Sequence, residues 1–220
     1  MLFKTIQITL FSALAFAAPI ASNNIILPRV AAIDLINGIA PDALTTCAGA
    51  EFPDECATAD HAARSIADAI NGQEFQAGEA AAIIALIAYE TAEFKYNIHH
   101  FPHLEPGQGT RNMQHANFNL QYARSIPELA ADLAKITTAT TADGLTDVQK
   151  NQIMDLVADD KYTWKSAGWY MKTYCPNVRA GLAAGSDAAW EEYMLCVGTT
   201  SDEKRLPFWI RAKKTLGVGV

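Results

Sequence analysis

Three consecutive stretches hold the side chains best suited to chemistry: AAAIIALIAYETAEF (80–94), KYNIHHFPHLEP (95–106) and GQGTRNMQ (107–114). In the first, Ile83, Ile87, Glu90 and Phe94 are spaced 4, 3 and 4 residues apart, which puts them on one face of a helix. A carboxylate on an apolar stripe is poorly solvated, so the pKa of Glu90 is expected to rise. An acid still protonated near neutral pH can deliver its proton to a leaving-group oxygen. The partner of that acid stays open at this point. Glu105 and Glu93 are the nearby carboxylates, and either a distant one or none at all would also serve.

The other two stretches supply possible ligands. Gly107 and Gly109 let the backbone come close to a bound molecule, so Arg111, Asn112 and Gln114 are expected to bind substrate opposite Glu90. His100 and His103 are expected to line the same cleft. No H-E-x-x-H is present, and Pro102 breaks any helix through His99 and His103, so neither a metal nor any other cofactor is expected.

Helices must carry these groups. Residues 79–94 are apolar almost all round and predict a central buried helix. Around it, helices are predicted over Val30–Asn37, Thr58–Ile70, Asn117–Arg124, Leu129–Ile136, Ile153–Val157, Trp164–Tyr174, Ser186–Leu195 and Asp202–Leu216. Ser125–Glu128 and Thr146–Gln149 have the spacing of capping boxes. The four tryptophans fall at helical spacing and read as core rather than as stacking platforms. Strand alternation is scarce, so the fold class is all-α, with room for a small β-hairpin in the turn-rich loop 95–113.

A helix closing on Glu90-Thr91, a loop, and then Gly109-Thr-Arg-Asn-Met113-Gln114 resembles the core of the lysozyme-like superfamily, closest to goose-type lysozymes and soluble lytic transglycosylases. About 40 of the 220 residues carry the likeness. The loop is longer than that pattern, and Asn112 stands where it has Leu. The resemblance implies a lysozyme-like fold, with Glu90 as general acid, Gln114 in the cleft and Glu105 on the loop where related enzymes carry a second carboxylate. The implied function is hydrolysis of a β-1,4-linked aminosugar polymer: peptidoglycan first, then chitosan or chitin. The alternative is a secreted glycan-binding or effector protein without catalysis. The C-terminal half looks like secreted fungal proteins and adds no mechanism.

Composition bounds these readings. Residues 1–17 read as a secretory signal, with Lys4, an apolar run and Ala15-x-Ala17 as the cutting pattern. Residues 18–29 then form a loosely held leader, and 30–220 a single helical domain of a secreted, extracellular and monomeric protein. The chain has 17 basic and 24 acidic residues. Loss of Lys4 leaves 16 − 24 = −8, which counts against nucleic acid and anionic membranes as partners and leaves a polysaccharide substrate. The same charge fits a negatively charged wall poorly. Four cysteines in an oxidising compartment imply two disulfides. Joining neighbours gives Cys47–Cys56 and Cys175–Cys196.

Overall fold

The computed structural model describes residues 24–219, so the secretory signal and the first part of the leader lie outside the described residues. Helices follow one another almost without strand. They are α1 (Arg29–Ile39), α2 (Ala59–Asn71), α3 (Ala77–Glu90), α4 (Ala116–Ser125), α5 (Ala130–Ile136), α6 (Asp147–Ala158), α7 (Asp160–Thr163), α8 (Ser166–Tyr174), α9 (Arg179–Ala183), α10 (Asp187–Cys196) and α11 (Leu206–Leu216). The fold is all-α. In place of a hairpin, loop 95–113 makes two isolated antiparallel bridges, Ile98 with Gly109 and Gly109 with Gln114.

Helix α3 is the axis of the molecule. Ala80 to Ala88 are all buried, because alanine and the branched aliphatics leave no polar face to turn outward. Helices α11, α9, α8 and α1 pack on α3, and α2 is reached through α1. Trp190 and Trp209 are buried here and stack with ring centres 5.2 Å apart. Trp164 is buried as well, so three of the four tryptophans are fully core. A smaller cluster (Leu120, Tyr122, Leu129, Leu133, Ile153, Val157) holds α4, α5 and α6 together, and Trp169 touches both clusters.

Both neighbour disulfides are present, Cys47–Cys56 and Cys175–Cys196. Three local expectations change. The described end of the leader is tied down: Leu27 is buried, and its backbone exchanges hydrogen bonds with the Asn71 side chain at 2.8 and 3.0 Å. Thr146–Gln149 does cap α6, whereas Ser125 ends α4 instead, donating its hydroxyl to the Tyr122 carbonyl. Pro127 then starts a separate 3-10 turn.

The third change bears on the site. Helix α3 stops at Glu90 and does not run on to Phe94. Thr91 caps it from within: its hydroxyl donates to the Ile87 carbonyl at 2.7 Å and accepts from the Phe94 amide at 2.9 Å. The backbone then turns left-handed through Ala92, Glu93 and Phe94, with φ of 47°, 61° and 71°. Phe94 therefore leaves the stripe it was expected to share with Glu90.

Candidate functional site

Ending the helix at Glu90 leaves that side chain at the open end of a buried rod. It is 19% exposed. It borders a cavity of about 270 Å³ whose wall combines Leu86 of α3, Phe118 of α4, Tyr170 of α8, Thr199 and Arg205 with His99, Gln108 and residues 112–115. On its other side lies a second chamber of about 260 Å³, lined by Tyr89, Ala92, Tyr96, Ile98, His100 and Phe101. Glu90, His99 and Met113 belong to both walls, so the two chambers form one groove past the carboxyl group.

Burial pushes the Glu90 carboxyl above its ordinary value of 4.5. Arg205 opposes this with an ion pair at 3.0 Å, and burial prevails. Arg205 is itself shared: it also reaches Asp202 at 3.1 Å and lies 4.2 Å from the Tyr89 ring centre. Burial moves its neighbours in the direction of their neutral forms too, with the Tyr89 phenol raised and the His99 imidazole lowered. The Nδ1 atom of His99 is buried without a hydrogen-bond partner.

The loop that faces Glu90 is held in an uncommon backbone. Thr110 and Met113 have φ of 65° and 49°. Side chains in the left-handed region cost about 1–3 kcal/mol each and persist where surrounding contacts over-determine them. Arg111 supplies those contacts. Buried beneath the loop, it donates to the carbonyls of Phe94 (3.2 Å), Tyr96 (2.8 Å) and Glu55 (2.9 Å), and its guanidinium lies 4.4 Å from the Trp164 ring centre. Burial lowers its pKa to about 10, well above neutral pH, so it stays a cation inside the protein. Gly109 lies against the Asn97 carbonyl and the Met154 side chain, where a Cβ would meet them at 2.9 and 3.0 Å.

The expected site residues divide accordingly. Glu90, Asn112 and Gln114 come together on the first chamber, and His100 on the second. The polar atoms of Gln114 are spent inside the protein: its amide donates to Asn119 of α4 at 2.7 Å, and its carbonyl oxygen accepts from Asn112 at 3.3 Å. Asn112 accepts the Ser166 hydroxyl at 2.6 Å. Arg111 binds backbone, not cavity. Glu105 is 49% exposed and pairs loosely with His103 at 3.6 Å, and neither lines the groove, because turns at 101–106 carry both outward. Glu93 is buried away from the site, where it accepts the Asp42 amide at 2.6 Å.

Sequence reading missed Glu55 and Arg205. Glu55 pairs with His100 at 2.7 Å, and its other oxygen accepts the amides of Asn97 and Ile98 at 2.9 and 2.8 Å. It lies beside Cys56, and that disulfide placement was its one signal. Arg205 stands 115 residues from Glu90, and nothing local announces the pair.

Among the described residues no helix is long and apolar enough to cross a membrane. No group of three or more His, Cys, Asp or Glu residues among them could hold a metal ion.

No family model matches this chain, and no solved structure matches it. Over 148 residues, 66% of this chain, it is 40% identical to a protein of Fusarium oxysporum (strain Fo5176) named as a bifunctional dioxygenase–epoxy alcohol synthase. The matched segment is 11% of that relative, so the chain spans about a tenth of its length. The similarity overturns the expected glycoside hydrolase of aminosugar polymers. Peptidoglycan, chitosan and chitin hydrolysis fall with it, as do the glycan-binding alternative and the hydrolase, glycosidase and cell-wall labels, since the relative's name describes oxygen chemistry and no glycosidase.

Proposed function

We propose that this chain is an enzyme that opens the epoxide of an epoxy alcohol, with Glu90 protonating the oxirane oxygen. The observation that carries the reading is the placement of Glu90: a buried carboxyl group, its pKa raised by burial against the pull of Arg205, standing at the junction of two chambers. Protonation turns a strained C–O bond into one that departs as a hydroxyl. A positioned acid of raised pKa accelerates such a step by about 10²–10⁴-fold. The relative's name supports the substrate class, since an epoxy alcohol synthase makes the compound that such an acid would consume. Two disulfides support a secreted protein.

The test incubates the purified chain with epoxy alcohols, from glycidol to long-chain members, and follows epoxide loss and diol formation by mass spectrometry. Turnover that Glu90→Gln lowers by about 10²–10⁴-fold is expected. No turnover of any member would overturn the reading.

A further inference from the structure

An acid alone opens an epoxide slowly; a base that strips a proton from the attacking water completes the site. The geometry points to His100, held by Glu55, as that base, in the aromatic chamber that Glu90 also lines. This rests on the reading of Glu90 above.

Glu55 and His100 are 13% and 16% exposed, and their side chains meet at 2.7 Å through Nε2 of the imidazole. The carboxylate cannot swing away, because its second oxygen accepts two successive backbone amides, those of Asn97 and Ile98. The ring cannot turn freely either: it stacks on Phe52 with centres 3.8 Å apart and planes 10° apart. A neutral imidazole so held donates from Nε2 to the carboxylate, which leaves Nδ1 as a bare lone pair. His100 lines the chamber that Glu90 also lines. The other titratable groups around it are Tyr96, whose hydroxyl donates to Glu51 at 3.1 Å, and the chamber residues Tyr89 and His99.

The step balances without an oxidant. A water in the chamber gives one proton to His100 Nδ1, and its oxygen bonds to one oxirane carbon. The C–O bond of that carbon breaks, its electron pair moves to oxygen, and that oxygen takes the proton of Glu90. Epoxide and water become a vicinal diol. Imidazolium and carboxylate return to their starting states by passing one proton through solvent. Glu55 is a positioning residue: it sets which nitrogen of His100 is bare.

The test joins two measurements on the full chain. Nitrogen NMR of the parent is expected to show His100 protonated at Nε2 and bare at Nδ1, and Glu55→Gln is expected to mix the two tautomers. A proton on Nδ1 in the parent would overturn the assignment, whatever the activity. In turnover of the best epoxy alcohol, His100→Asn is expected to lower kcat by about 10²-fold or more, as Glu90→Gln does, with KM nearly unchanged. If Glu90→Gln loses activity and a folded His100→Asn keeps it, the base is wrong and the acid stands. If the parent opens no epoxide, the acid reading fails and the base falls with it.

Discussion

Helix α3 carries a glutamate near each end, and each meets an arginine, yet the two ends differ in kind. At the N-terminal end Glu79 is buried, pairs with Arg179 at 2.5 Å and accepts the Gln76 amide at 2.8 Å. The free amides of a helix start favour a carboxylate there. At the C-terminal end the helix presents carbonyls, which disfavour a negative charge, and there Glu90 opens on a groove. The same pair of residue types caps one end and, at the other, lines a groove with a carboxyl group whose pKa burial raises. Position on the helix and access to a cavity set the role.

Exchanging the acids for amides tests this contrast most strongly. Glu90→Gln should remove about 10²–10⁴-fold of epoxide opening, while Glu79→Gln should keep turnover and lose about 1–3 kcal/mol of stability through its unpaired arginine and weakened cap. Kinetics and urea unfolding on both variants decide it. Equal activity losses would erase the difference between the ends.

Next in size is the packing that holds the N-terminal end. A Cβ on Gly78 would run into the Leu182 carbonyl of α9, whose backbone has no flexible way out. Gly78→Ala should cost about 3 kcal/mol, and a neutral result would contradict that close approach.

A smaller effect follows from the proton on Glu90. Its folded pKa lies above its unfolded one, so the folded chain binds more protons between the two values. Stability from this group is fully present below about 4.5, its ordinary value, and is lost as pH rises through the raised one. Glu90→Gln should flatten that part of the stability curve. The overall stability of Glu90→Gln need not rise as a bare buried acid would imply, since Arg205 loses a partner. Smallest of all, Glu105→Ala should leave turnover within about twofold, as expected of an exposed side chain outside the groove. A large loss would return Glu105 to the site.

Much of the helical frame was legible because it rests on local physics. The AAAIIALIA run can only be buried, Thr146 and Gln149 carry a cap in their spacing, and the cysteines close short loops. Glu90 was legible for the same reason. The stop of α3 was not, because a threonine folding back on its own turn and three residues in a left-handed run leave no mark in apolar periodicity. Glu55 and Arg205 reach the site across 45 and 115 residues, to His100 and Glu90 respectively, and only the packing of distant helices brings them there. Arg111 was legible as a polar residue in the right loop, but its direction was set by carbonyls that the sequence does not place.

That buried arginine has a consequence for how the molecule opens. Its three carbonyl partners belong to residues 55, 94 and 96, and its own backbone amide donates to Thr163 at 3.1 Å, so three separate stretches of chain meet on one residue, two of them on its cation. Neither of those two can peel away without leaving the buried guanidinium short of acceptors. The amides of Asn97 and Ile98, at the edge of a loop, should therefore exchange with solvent as slowly as those of α3, in a single cooperative unit with it. Catalytic loops are ordinarily among the first parts of a protein to breathe; here the loop and the core helix should open together or not at all.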